Sequence, residues 1–200
     1  MLRAGAQLPP IPKLPNPNVP VQAEQVDRSF FTLSFAALAR HPVDLLMIFT
    51  QSLDEMSHLL WGSHEPAPGA TAPRDFVVDY IQRYDGLLGE LLARLRSQDH
   101  LIVLSDHGME RTTHPNMLAG QHETAATAHG VLLLRGPLVR ADNRFGEVDM
   151  LDVLPTMLEL LGVAPPDTLP GKVVTAALVR NHALLPRHPG PYPEYRPGVQ

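Results

Sequence analysis

The chain has 200 residues, 44% of them hydrophobic and 18% charged, which is enough apolar content to bury a core at a length whose default is one domain. A formal net charge of −5, with no run of more than two Lys or Arg, provides no electrostatic patch for nucleic acid or anionic lipid. The absence of cysteine excludes disulfides, thiolate zinc sites, Fe–S clusters and thiol nucleophiles, so a metal must be held by His, Asp or Glu.

Residues 1–22 carry six prolines and no apolar run, and read as an extended lead without the apolar region of a secretion leader. Residues 24–40 place Val26, Phe30, Leu33 and Ala37 at helical spacing, and Pro42 stops that run. The run 43–49 (VDLLMIF) suits a strand covered on both faces. Residues 51–72 read as a loop. Over 74–96, Val77, Tyr80, Ile81, Tyr84, Leu87, Leu88, Leu91, Leu92 and Leu95 form a sustained 3.6-residue stripe, which predicts a helix packed on a sheet. A second strand follows at 101–104 (LIVL), then a polar loop to Ala128 and a third strand at 130–134. Residues 149–161 predict a helix whose regular part starts late, at Asp152 and Pro155, and which Gly162 ends. Residues 186–200 read as a proline-rich tail, leaving 23–185 as the folded part. No apolar stretch approaches the ~20 residues needed to span a bilayer. With no leader visible in the sequence, the default location is cytoplasmic.

Apolar strands alternating with helices predict an α/β fold, a parallel sheet wrapped by helices. In open sheets of this kind ligands bind beyond the carboxyl ends of the strands, and polar residues do gather just after Phe49 and Leu104. Asp54 and His58, four apart, can present a carboxylate and an imidazole to one cation. Ser105-Asp106-His107-Gly108 ends the second strand with two adjacent potential ligands and a glycine that permits a sharp turn. The loop beyond holds His114, His122 and His129. Each feature has a plainer reading: a surface Asp–His pair, an Asp that caps a turn, a solvated loop histidine. Their convergence on one sheet edge is what favours a divalent cation, and Asp and His donors without thiolate fit a catalytic Zn²⁺ or a related ion.

The strings VDLLMIFTQSLDEMSH, YIQRYDGLLGELL, HLIVLSDHGME, HGVLLLRGPLVR and VDMLDVLPTMLELLGVAPPDTLPGK, in order over residues 43–172, resemble the C-terminal half of the alkaline-phosphatase superfamily, in its type I phosphodiesterase and nucleotide pyrophosphatase branch. The resemblance implies a three-layer parallel-sheet core and two divalent metals, usually zinc, that clamp a small-molecule phosphoester. By position, Asp54 and His58 resemble ligands of one metal, and Asp106 and His107 ligands of the other. A further histidine comes from the loop before the strand that ends in Gly136-Pro137; His122 is favoured and His129 is the alternative. Two landmarks of the family, an aspartate ending its first strand and a Thr or Ser nucleophile after it, have no counterpart upstream of Val43. The expectation is therefore an incomplete core that lacks its N-terminal strands and exposes unpaired strand edges. It would be part of a metal-dependent phosphoester hydrolase with most metal ligands and no nucleophile of its own, completed by a separate N-terminal chain. The alternative is a non-catalytic metal-binding remnant or truncated gene product. Relatives often carry an acidic residue and an arginine where this chain has Leu169-Pro170-Gly171-Lys172. Trp61, His64, Glu110 and Arg111 lie near the expected ligands, while Asp149 and Asp152 shape a helix start.

Overall fold

The computed structural model describes residues 19–65, 69, 75–112, 119–141 and 144–186. The proline-rich stretches 1–18 and 187–200, and His114, lie outside the described residues. In chain order the elements are helices α1 (Val19–Leu38), α2 (Ser52–His64) and α3 (Phe76–Leu92), strands β1 (Leu101–Ser105), β2 (Glu110–Arg111), β3 (Gly120–Gln121) and β4 (Val131–Arg135), and helix α4 (Val153–Leu160). They form two compact units, Met1–Leu95 with His107–Gly130 and Arg96–Asp106 with Val131–Gln200.

The first unit is a helical cluster with a small hairpin. Its core is Met56 and Leu60 of α2 against Val77 and Tyr80 of α3, all at most 3% exposed. The apolar stripe of the third helix thus packs on α2, not on a sheet. Asp75 caps α3 by accepting from the Val78 N–H at 3.0 Å and also meets His64 Nδ1 at 2.7 Å. The Phe76 N–H donates to Ser63 Oγ at 3.0 Å, so the end of α2 and the start of α3 are tied twice. Arg83 bridges to Glu24 at 3.0 Å and joins α3 to α1.

The first and second helices meet through a buried carboxylate. Asp27, 2% exposed, accepts from the Ser52 N–H at 3.1 Å, from the Ser52 hydroxyl and from the Tyr84 hydroxyl, while Tyr80 donates to Ser52 Oγ at 2.9 Å. An anion is favoured there because the N-terminus of α2 offers unpaired N–H groups and the positive end of the helix dipole. The segment 51–72, read as a loop, contains this helix. Its long-range cap lies 25 residues upstream in sequence, beyond what a local reading can pair with it.

The second unit pairs β1 with β4 antiparallel, in the register Leu101↔Arg135 to Ser105↔Val131. Both described sheets, this one and β2–β3, are two-stranded and antiparallel, so the expected parallel core is not seen among the described residues. Parallel neighbours need a crossover, usually a helix. Between β1 and β4 the described chain holds only the β2–β3 hairpin and the 3₁₀ turn Ala125–Thr127. The run 43–49 is not a strand: no described segment supplies its ladder, and Met47 and Phe49 are each 75% exposed. Nor is the apolar stripe of α1 buried; Val26, Phe30 and Leu33 are exposed, and the helix turns Asp27 and Phe31 inward instead. The last helix follows the sequence closely. The 3₁₀ turn Met150–Asp152 precedes α4, Asp149 accepts from the Leu151 N–H, and Gly162 takes φ +73° just past the helix end. Asp152 accepts from the Lys172 N–H at 2.8 Å, so Lys172 contributes a backbone tether.

Removing the Asp27 carboxylate strands the Ser52 and Tyr84 groups in a dry interior. Asp27→Ala is expected to cost about 3 kcal/mol in denaturant unfolding, and Asp27→Asn less. Burial, together with the nearby Asp27 and Glu24 charges, pushes the Tyr80 hydroxyl up to about 12 against a lowering hydrogen bond from Ser52. Burial and the Asp27 hydrogen bond raise Tyr84 as well. Unfolded tyrosines ionise near pH 10. Between there and about 12 the unfolded chain has lost protons that folded Tyr80 keeps, so stability falls as pH rises through that window. Unfolding midpoints recorded at pH 9 and pH 11.5 check this, and Tyr80→Phe should flatten the difference.

Candidate metal centre

The first turns of α2 carry Asp54 and His58, and the hairpin brings His122 to them. Asp54 Oδ1 lies 3.6 Å from His58 Nε2, 3.9 Å from His122 Nε2 and 3.7 Å from His107 Nε2. Donor atoms of Asp54, His58 and His122 all lie within 4.8 Å of one another. The His122 ring stacks on His107 at 3.9 Å and tilts against His58 at 4.9 Å.

Two of these imidazoles are oriented by backbone carbonyls. His58 Nδ1 is 2.8 Å from the Gly120 carbonyl and His107 Nδ1 is 2.9 Å from the Gly108 carbonyl. A carbonyl only accepts, so each Nδ1 carries a proton, and each ring turns its Nε2 toward Asp54. The Asp54 side chain is 40% exposed as a whole, yet its Oδ1 is buried and accepts no hydrogen bond from the described residues. A buried anionic oxygen is unfavourable unless positive charge stands beside it, and a cation between Asp54 and the Nε2 atoms would supply it. The residues present therefore fit a divalent cation held by one carboxylate and imidazoles, with carbonyls orienting the rings from behind.

Glycine makes the approach of hairpin to helix possible. A Cβ on Gly120 would stand 2.6 Å from the Ser57 carbonyl oxygen and 2.9 Å from Trp61 Cβ. The same residue orients His58 through its carbonyl and lies two positions before His122, a role that the GQH string signals only in retrospect. At the other turn, the Gly108 N–H donates to the Thr127 carbonyl at 2.8 Å and seats His107.

The remaining candidates take other places. Asp106 belongs to the second unit. His129 is exposed, and its carbonyl faces Gly108. Trp61 meets His64 edge to face at 4.9 Å and donates to Glu65 at 3.1 Å, while Glu110 accepts from Gln121 at 3.0 Å and so braces the hairpin. That bond and a second one from Thr124 hold the Glu110 carboxyl below its ordinary range. Arg111 Nε is buried with no hydrogen-bond partner among the described residues.

Gly120→Ala is predicted to push β3 off α2 and weaken divalent-ion binding by roughly 10- to 100-fold, the range for losing support behind a ligand. Calorimetric titration with Zn²⁺ measures this, with circular dichroism showing whether the helices persist.

The family model described as type I phosphodiesterase / nucleotide pyrophosphatase matches residues 14–159. Among curated proteins the chain is similar to arylsulfatase K of Canis lupus familiaris, 35% identical over 105 residues, which are 49% of this chain and 19% of that protein. The Homo sapiens arylsulfatase K is 34% identical over 105 residues with the same coverage. The uncharacterized sulfatase YidJ of Escherichia coli (strain K12) is 28% identical over 129 residues, 60% of this chain and 25% of that protein. The chain thus spans about a fifth to a quarter of the length of these relatives. No solved structure matches it. The matched span takes in Asp54, His58, Asp106, His107 and His122 and well over half of the residues, and on that basis the chain belongs to the type I phosphodiesterase / nucleotide pyrophosphatase family of the alkaline-phosphatase superfamily.

Proposed function

We propose that this chain is the metal-binding part of a hydrolase acting on small-molecule phosphoesters, and that Asp54, His58 and His122 hold a divalent cation, with Zn²⁺ the first choice. The observation that carries the reading is the buried Asp54 Oδ1, without a hydrogen bond among the described residues, beside imidazole nitrogens. When bound, the cation would act as a Lewis acid on a phosphoryl oxygen and orient the ester. The chain's own residues do the rest. The N-terminal end of α2 favours the Asp54 charge, the Gly120 carbonyl fixes the His58 ring, and the hairpin holds His122 in place.

Under this reading the second pair, Asp106 and His107, supplies ligands toward a further cation. The hydroxyl nucleophile would come from a portion other than residues 43–172, such as a complementing polypeptide. The run 43–49 then serves as a strand of a larger parallel-sheet core of the alkaline-phosphatase type. A sulfate ester is the second candidate substrate, favoured by the sulfatase names among the relatives.

The test is calorimetric titration of the chain with Zn²⁺, followed by hydrolysis assays with bis-p-nitrophenyl phosphate and p-nitrophenyl sulfate. The chain should bind the ion, Asp54→Ala should weaken binding by about 100-fold or more, and turnover should appear only on mixing with an N-terminal portion of a family member. Binding unchanged in Asp54→Ala, or absent in the wild type, would overturn the reading. Faster release from the phosphate diester than from the sulfate would separate the two substrate classes.

A further inference from the structure

We propose that the cleft at the end of β4 binds a small molecule through a diphosphate group, with Arg135, Arg140 and Arg144 as the charged contacts. The cleft lies in the second unit, outside the cluster of Asp54, His58 and His122, and the proposal does not depend on the reading above.

The cleft has a volume of about 600 Å³ and is lined by residues 134–136, 139–141 and 144. That volume is in the range of small-molecule sites. Its three arginines are spaced five and four apart in sequence, so no run of basic residues marks them in a chain of net charge −5.

The backbone makes the wall firm. Gly136 follows β4 with φ +151°, and a Cβ there would overlap the His100 ring, so glycine is what lets the turn close over that side chain. The Val139 N–H then donates to the Gly136 carbonyl at 3.1 Å, and the Leu138 N–H to His100 Nε2 at 3.4 Å. Beyond the turn, the Arg140 N–H donates to the Ala177 carbonyl and the Val179 N–H to the Leu138 carbonyl, each at 2.9 Å. Ala177 and Leu178 are buried, so residues 138–140 rest on a packed segment.

The charges on this wall are left for a ligand. Among the described residues none of the three arginines forms an ion pair. The stretch 134–144 carries one acidic residue, Asp142, which lies outside the described residues. The Arg140 guanidinium donates to the Ala176 carbonyl at 3.3 Å, which steadies a group that has five N–H donors to offer.

The chemistry of the ligand follows from these donors. A guanidinium fork grips two phosphate oxygens at once and keeps its charge at any working pH. A single phosphate brings at most about two negative charges, so three arginines are better matched by two linked phosphates. Leu134, Val139 and Ala141 supply apolar contact for the rest of the molecule.

The experiment titrates the full chain with inorganic pyrophosphate by calorimetry, with orthophosphate as the comparison ion. Wild type, Arg135→Gln, Arg144→Gln and Asp54→Asn are compared, and circular dichroism reports the fold. Arg135 and Arg144 are exposed, so their glutamine variants should stay folded. The proposal expects one pyrophosphate per chain, bound at least about tenfold tighter than orthophosphate and roughly tenfold weaker in each arginine variant, the usual loss for one charge-assisted hydrogen bond. Asp54→Asn should bind pyrophosphate as wild type does, which separates the cleft from the metal donors. No binding, or an affinity unchanged in both arginine variants, would overturn the proposal. So would loss of binding in Asp54→Asn, or orthophosphate bound as tightly as pyrophosphate, which would mark an adventitious ion only.

Discussion

Asp54 Oδ1 is shut away from water while three imidazole nitrogens stand 3.6 to 3.9 Å from it, and no described residue donates a hydrogen bond to it. An anionic oxygen in that position needs a positive charge in the gap, and much of the first unit holds the gap in shape. Asp27 anchors the N-terminus of α2, one turn from Asp54. The Ser63 and His64 contacts fasten the other end of that helix to α3. Gly120 lets the hairpin come close enough for its carbonyl to set one ring and for His122 to reach the cluster. Packing in this unit thus translates directly into the placement of donor atoms.

The sequence made the ligand types and their spacing legible, because the i, i+4 pair Asp54 and His58 and the Asp106-His107-Gly108 turn are local patterns. It also singled out His122 over His129, and the structure brings the former to Asp54 while leaving the latter exposed. The ends of α4 were equally readable, since Asp149 and Gly162 act on their immediate neighbours. Long-range chemistry was not readable. The helix at Ser52 begins where a carboxylate from α1 meets it, and no window of a dozen residues contains both. Strand direction was lost for a related reason: LIVL and VLLLR say that two segments are apolar and extended, and only the connection between them fixes whether they run parallel or antiparallel.

Several apolar side chains remain on the surface: Met47 and Phe49 in the extended run, Leu33 on α1, Leu133 on β4. Exposed apolar groups of this size mark surfaces that meet something else.

The most direct test of the cation site is X-ray absorption at the zinc edge on the metal-loaded chain. The account predicts a first shell of nitrogen and oxygen only, with the outer-shell scattering that several imidazoles produce. A shell of water oxygens without that imidazole signature would contradict it.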